Sequence, residues 1–314
     1  MPAQTKAIVD KLLTQASNKL VPTGFISEMV LPPIYVMQKT GKLGAFGNGH
    51  LRLESTLGGG RSAFRRVDAV TRLTQTYSID VHGLEGVVTP DDYANVEEPF
   101  NAEQDETESL TTMLYLKKEF ALASALTNAS VITQGVQLAG QDQYNDYANS
   151  DPLDDALTAA ETIRDRIGMP ANTAIMDWKV YKRLRYHPAF LKQLGYSEAR
   201  PGGLSGEEMA RAMDVEKVLI ANAVYNSAKE GQIDVITPVW GKHLIYAYIP
   251  AAAAKNQKTL GYRMQLVDQK RSARAVFKSP INNPPGTTSI IVQDNWDFFL
   301  SDATAAYLIR DAIA

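Results

Sequence analysis

Cysteine is absent from all 314 residues of the chain. Its absence excludes disulfides, thiolate metal sites and cysteine nucleophiles, and it fits a reducing compartment. Histidine is scarce, and its four copies are widely separated: His50, His82, His187 and His243. None has a second histidine or a carboxylate at the spacing of a helical metal site. The sequence therefore predicts no metal and no cofactor.

A surplus of basic residues is also missing, because 32 Lys and Arg face 35 Asp and Glu, for a net charge of -3. A dedicated nucleic-acid binder normally has a basic footprint. No apolar run reaches the roughly 18 residues of a membrane helix. The N-terminus lacks the apolar stretch of a signal peptide. The sequence predicts no membrane contact and synthesis in the cytoplasm.

The signatures of common enzyme classes are missing as well. The glycine-rich residues 45–49 and 58–61 form neither a phosphate loop nor a dinucleotide fingerprint, and no serine lies in G-x-S-x-G. Asp151, Asp154 and Asp155 are typical of a helix start rather than a calcium loop. The sequence predicts a protein that is not an enzyme and has no catalytic residues. An enzyme or binding module with an unrecognised site is the less favoured alternative.

The chain does contain one long helical stretch, residues 101–128. It has neither Gly nor Pro, and most of its residues favour helix. Its apolar residues recur at spacings near three and four: Leu110, Met113, Leu114, Phe120, Ala121 and Leu126. This pattern predicts a helix about 40 Å long, with one apolar stripe that a sheet must cover.

Two segments before this helix are unsuited to folding alone. Residues 2–20 predict a small surface helix, and residues 21–40, interrupted by three prolines, predict extended chain, so that together they form an arm with little core of its own. In residues 45–74, two extended runs flank Gly58-Gly59-Gly60, which predicts a hairpin. A lone two-stranded hairpin is barely stable in water. We therefore expect other molecules to cover both segments.

Beyond the helix, Asp151-Pro152 predicts the start of a second helical unit, and Ser205 with Glu208 predicts a capping box. The C-terminal part is mostly β, and residues 303–313 could be strand or helix. Helices and strands do not alternate regularly, so the pattern indicates α+β. A basic cluster lies beside aromatic residues on one short predicted helix: Lys179, Lys182, Arg183 and Arg185. We interpret it as a solvated face with a weak electrostatic role. A nucleic-acid platform is the less favoured alternative.

This order of parts resembles the major capsid protein of tailed bacteriophages, whose HK97-type fold is shared with encapsulin shells. The similarity is carried by residues 98–128 with Glu119, by residues 172–184 with Asp177-Trp178, and by residues 215–226 followed by Val239-Trp240-Gly241. The resemblance implies an N-terminal arm (1–44) and an extended loop (45–74). It also implies a peripheral domain with a spine helix (75–140 and 261–294; spine 101–128) and an axial domain (141–260 and 295–314).

The resemblance further implies a shell of pentamers and hexamers that encloses phage double-stranded DNA, with an encapsulin-like nanocompartment as the alternative. Inter-subunit contacts would fall on the extended loop and the arm, at Arg52, Gly58, Gly59, Gly60, Arg61, Arg65, Arg66, Lys6, Lys11 and Leu12. The implied partners are further copies of the chain, a portal, a decoration protein and, through weak non-specific contact, the packaged DNA. Because no long helical segment precedes the arm, we expect a separate scaffolding protein or none. The implied location is the virion capsid, after synthesis in the host bacterial cytoplasm.

Overall fold

The computed structural model describes residues 8–20, 22–46, 72–95, 101–196, 201–253, 258–267, 274–281 and 285–314, together with Leu51, Leu53 and Thr56. The helices of this part of the chain are α1 Lys11–Lys19, α2 Ser27–Val30, α3 Pro90–Asn95, α4 Ala102–Leu126, α5 Pro152–Ile167, α6 Trp178–Leu184, α7 Pro188–Gln193 and α8 Gly206–Ala212. Its strands are β1 Ile8–Val9, β2 Pro33–Val36, β3 Thr40–Phe46, β4 Arg72–Ser78, β5 Asp80–Val88, β6 Gly135–Gln137, β7 Thr173–Asp177, β8 Lys217–Ala221, β9 Val224–Asn226, β10 Ile236–Pro238, β11 Leu244–Ala247, β12 Gly261–Leu266, β13 Arg274–Ile281, β14 Thr287–Leu300 and β15 Ala306–Arg310. The predicted α+β mixture is confirmed.

The long helix α4 has nearly the bounds that its sequence predicts. Asn101 caps it, because the Asn101 side chain accepts hydrogen bonds from the backbone N–H groups of Glu103 and Gln104 at 3.0 and 3.4 Å. The Thr127 N–H donates to the Ala123 carbonyl and closes the last turn. With 25 residues, α4 is about 38 Å long.

The prediction of one purely apolar stripe on α4 is wrong. Met113 is 55% exposed and Phe120 is 39% exposed. The buried face instead combines apolar and polar side chains: Thr107, Leu110, Thr111, Leu114, Tyr115, Lys118, Glu119, Leu122, Ala123 and Leu126. Hydrophobic spacing could not reveal this face, because polar residues near the helix centre are buried with partners from other elements.

The first sheet has the order β1-β13-β14-β12-β2, and β5 pairs with β14 as well. Strand β14 organises it, because one edge pairs with β13 and then β12, while the other edge pairs with β5. The first half of α4 packs on this sheet, where Leu110 and Leu114 meet Val276, Ile290 and Val292 in one buried cluster. The β1 and β2 strands of the predicted arm are part of the same sheet.

Strands β3 and β4 form a separate antiparallel hairpin, in register from Thr40 opposite Ser78 to Phe46 opposite Arg72. Its base lies on the first sheet, since Tyr77 and Ile79 share a small buried cluster with Met264 and Phe299. Val81, the next residue in the alternation of Tyr77 and Ile79, is exposed. Most of predicted loop 45–74 lies outside the described residues.

The second sheet has the order β6-β15-β11-β7-β8. Every residue of β7 and β11 is buried, and the largest core cluster lies around them. The second half of α4 contributes Leu122 and Leu126 to this core, so one helix joins both sheets. The predicted caps are confirmed at α5, where Asp151 accepts from Leu153 N and Asp154 N, and at α8, where Ser205 and Glu208 form a capping box. The C-terminal tail contains a strand, β15.

Candidate functional site

The first described residues of the arm lie on the first sheet, where Ile8 and Val9 pair with Lys278 and Phe277. The Asp10 side chain caps α1 by accepting from Leu12 N and Leu13 N at 2.9 and 3.1 Å. Within the capped helix, Leu13 is buried whereas Leu12 is 79% exposed and Lys11 is exposed. Lys6 lies outside the described residues, so the structure places only Lys11 and Leu12 of the three predicted arm contacts.

A cleft of about 560 Å³ lies beside this start of the arm. Its wall combines Ile8 and Leu12 with Pro280 of β13 and Thr288 of β14, and Lys11 and Lys278 stand at its edge. Ile8 is 73% exposed. Because large apolar side chains rarely stay exposed together on a monomer without a partner, this cleft is a candidate contact surface.

The extended loop residues are predicted contacts as well: Arg52, Gly58, Gly59, Gly60, Arg61, Arg65 and Arg66. All seven lie outside the described residues, so the structure does not place them. It does place the base of the hairpin that leads to them, which projects from the buried cluster around Tyr77.

The centre of α4 contains a buried carboxylate, Glu119, which no local sequence pattern singles out apart from the family resemblance. Glu119 is fully buried. Its carboxylate accepts hydrogen bonds from Ile26 N at 3.1 and 3.2 Å, from Ser27 N at 2.7 Å and from Trp240 Nε1 at 2.6 Å. Charge-assisted hydrogen bonds of this kind are the strong ones. One side chain thereby joins the arm, the long helix and the segment that leads into β11.

The neighbouring residue Lys118 belongs to a second buried cluster. Lys118 Nζ lies 2.5 Å from Glu28 and 3.7 Å from Asp294. Arg274 lies 3.2 Å from Asp294, and Arg263 forms an ion pair with Glu28. Three cations thus share two carboxylates among the described residues. Burial lowers the pKa of Lys118 and lowers the pKa of Arg263 to about 10.

Aromatic rings flank this charge cluster. Lys118 Nζ lies 5.6 Å from the centre of the Trp296 ring, and the Arg274 guanidinium lies 4.3 Å from the centre of the Tyr115 ring. Such contacts help a desolvated cation. The sequence offers one signal that the charges in the middle of α4 are buried, because the apolar residues Leu122 and Ala123 follow them one helical turn later. It could not identify partners about a hundred residues away in the chain.

These contacts join the arm, the long helix and the two sheets in one frame. Among the described residues, no group of three or more His, Asp or Glu could hold a metal ion. No helix in this part of the chain could cross a membrane. The geometry provides a body in which arm, helix and both sheets are tied together, with a hairpin and exposed apolar residues at its surface.

Sequence comparison finds relatives among coat proteins. No family model matches the chain. The chain is 28% identical over 255 residues to the major capsid protein of Burkholderia phage BcepMu, covering 80% of each protein. It is 25% identical over 198 residues to the major capsid protein of Pseudomonas phage JBD67, covering 62% of each.

Structural comparison extends the likeness to the whole chain. A phage-related protein from Bordetella bronchiseptica has a TM-score of 0.75 at 23% identity, with 98% of each chain covered. The capsid of Cyanophage P-SCSP1u has a TM-score of 0.59 at 12% identity, with 93% and 89% covered. An encapsulin from Synechococcus elongatus has a TM-score of 0.54 at 12% identity, with 98% and 96% covered. The predicted HK97-type fold is confirmed.

Proposed function

We propose that this chain is a structural major capsid protein, which self-assembles into the icosahedral shell that encloses phage double-stranded DNA. The observation that carries the proposal is the relation to the capsid protein of phage BcepMu over 80% of both chains, on a fold shared along nearly the full length with capsid proteins. The names of these relatives describe structural proteins, in agreement with the prediction that the chain is not an enzyme.

The structural role of each segment of the chain is part of this proposal. Residues 1–44 act as the arm, residues 45–74 as the extended loop that reaches a neighbouring copy, and residues 75–140 with 261–294 as the peripheral domain. Residues 141–260 with 295–314 act as the axial domain, which meets its copies around the five-fold and six-fold axes. The contacts on the loop and arm fall on the ten residues named from the sequence.

The same proposal covers the partners. The shell takes a portal at one vertex, is assembled with a separate scaffolding protein or none, and can be covered by a decoration protein. Its contact with packaged DNA is weak and non-specific, which agrees with a net charge of -3. The chain is made in the bacterial cytoplasm and ends in the virion.

Electron microscopy of the purified chain tests the proposal directly. We expect closed shells of uniform size, alone or after co-expression with a scaffolding protein encoded beside it. A chain that stays monomeric or dimeric by size exclusion in all these conditions contradicts the proposal.

An encapsulin-like nanocompartment is the second candidate, favoured by the likeness to the Synechococcus encapsulin. The TM-score of the Bordetella phage-related protein is larger than that of the encapsulin, which favours a phage head over a nanocompartment. The neighbouring genes distinguish the two, because a terminase and a portal indicate a phage head, whereas a cargo enzyme indicates a nanocompartment.

A further inference from the structure

Helix α6 and the adjoining Tyr186 expose a basic face whose three cations form no salt bridge within the described residues. The buried side of the helix consists of Val180, Tyr181 and Leu184. The exposed side of α6 combines three cations with one large ring, and a second ring follows the helix at Tyr186; the five residues are Trp178, Lys179, Lys182, Arg183 and Tyr186. We call these five residues the basic face. The Trp178 side chain is 46% exposed and Tyr186 is 41% exposed.

The basic face is also partly concave. Lys179, Lys182 and Arg183 line a cleft of about 270 Å³ together with Asn145 and Ile313. Within the described residues, none of the three cations forms a salt bridge. A cleft lined by cations and an apolar side chain suits a carboxylate next to an aliphatic group.

The two exposed rings indicate what kind of partner fits. Aromatic side chains bind nucleic acid by stacking on unpaired bases, but the bases of double-stranded DNA are already stacked on each other. Trp, Tyr and Arg are the residues that most often carry the binding energy of protein interfaces. The combination therefore favours an acidic protein surface over a duplex.

The chain carries such a surface on α5. Asp154, Leu157 and Glu161 follow one another at helical spacing on its outer side, and Leu157 is 52% exposed. We call these three residues the acidic stripe. Arg164 reaches Glu161 only at 3.8 Å, and both side chains are mostly exposed, so this pair is weak and the carboxylate stays available.

The two surfaces lie over different parts of the second sheet. Helix α5 packs on β11 and β15, whereas α6 packs on β7 and β8, and the sheet order is β6-β15-β11-β7-β8. Two different patches displaced along one unit allow a head-to-tail contact, and head-to-tail contacts generate rings when the rotation closes.

We propose that the basic face of one copy binds the acidic stripe of the next copy. Lys182 and Arg183 pair with Asp154 and Glu161, and Leu157 packs between the exposed rings. This inference rests on the proposed function, since it names the contact that holds neighbouring copies within one ring of the shell.

Charge exchange tests the contact. The first variant carries Lys182→Glu and Arg183→Glu, the second carries Asp154→Lys and Glu161→Lys, and the third carries all four changes. Lys229→Glu, at an exposed lysine of the loop between β9 and β10, is the control for charge reversal. Circular dichroism establishes that each chain is folded, and sedimentation with electron microscopy measures the yield of shells.

We expect the first two variants to lose at least tenfold in shell yield, the third to recover most of it, and the control to assemble like the wild type. Normal assembly of the first variant overturns the proposal but leaves the proposed function standing. Loss of assembly in the first two variants without recovery in the third, which carries all four changes, also overturns the proposal. In that case, binding of duplex DNA by the wild type but not by the first variant identifies DNA as the partner. A wild-type chain that never forms shells contradicts the proposed function itself.

Discussion

At the scale of single residues, the charges buried against α4 are not balanced. Lys118, Arg263 and Arg274 face Glu28 and Asp294, and each carboxylate has an arginine of its own. Lys118 is therefore the surplus cation, and burial lowers its pKa. The two carboxylates, in contrast, neutralise the charges of the two arginines.

This imbalance predicts opposite outcomes for two substitutions. Lys118→Met keeps the length of the side chain and leaves two arginines with two carboxylates, so we expect the free energy of unfolding to change by less than about 1 kcal/mol. Asp294→Asn leaves Arg274 without its buried counter-ion, so we expect a loss of about 3–5 kcal/mol. Denaturant unfolding of the unassembled chain measures both. Equal losses from the two changes would contradict the assignment of Lys118 as surplus.

His187 also combines burial with a structural hydrogen bond. Its Nδ1 accepts from Ala189 N at 3.3 Å and caps α7, and its Nε2 lies 3.1 Å from Ser150 Oγ. An Nδ1 that accepts carries no proton, so the imidazole is neutral with its proton on Nε2. Burial lowers the pKa of His187, and the nearby Asp151 opposes this only in part.

The lowered pKa predicts that acid destabilises the second sheet and its helices. The unfolded chain takes up the proton near pH 6.5, while the folded chain resists it, so stability is fully present above that pH and falls as pH drops toward the folded pKa. Thermal unfolding from pH 7.5 to pH 5 should show this fall. His187→Asn keeps a capping side chain but cannot titrate, so its fall should be smaller. The same slope in both chains would contradict this role.

At the scale of elements, one side of α1 stabilises the fold and the opposite side is available for contact with another copy. Adjacent leucines face opposite ways, since Leu13 is buried with Val276 and Ile290 whereas Leu12 faces solvent beside the cleft. The element thus provides a matched pair of substitutions on one helix.

We expect Leu13→Ala to lower the free energy of unfolding by about 2–4 kcal/mol, because it leaves a cavity. Leu12→Asp should stay within about 0.5 kcal/mol of the wild type and yet reduce shell yield, because it puts a charge into an apolar contact with another copy. Unfolding curves and particle yields of the two variants measure the difference. Normal shells from Leu12→Asp would remove Leu12 from the proposed contacts.

The elements also separate what the sequence could predict from what it could not. Local signals succeeded, because the caps at Asp151 and Ser205 depend only on the next few residues. The buried face of α4 was missed, because Lys118 and Glu119 are stabilised by partners such as Asp294 and Trp240. Nothing near them in the chain identifies those partners.

At the scale of the whole molecule, folding and assembly depend on different residues. The predicted loop contacts lie in an arginine-rich sequence, and charged side chains seldom belong to a hydrophobic core. Arg65→Glu with Arg66→Glu should therefore leave the melting temperature of the single chain nearly unchanged while it lowers shell yield. Lys117→Glu, on the exposed side of α4, is the control for charge reversal at a site outside the loop. A lower melting temperature with normal shells would be the opposite of this expectation.

The carboxylate of Glu119 has a consequence for the geometry of a closed container. In a particle with both five-fold and six-fold positions, identical chains must adopt slightly different tilts. Because Glu119 ties arm, long helix and the Trp240 segment at one buried point, bending inside the body would break several strong bonds at once. We therefore expect differences in tilt to be accommodated at the contacts between chains, while each chain rotates as a rigid body.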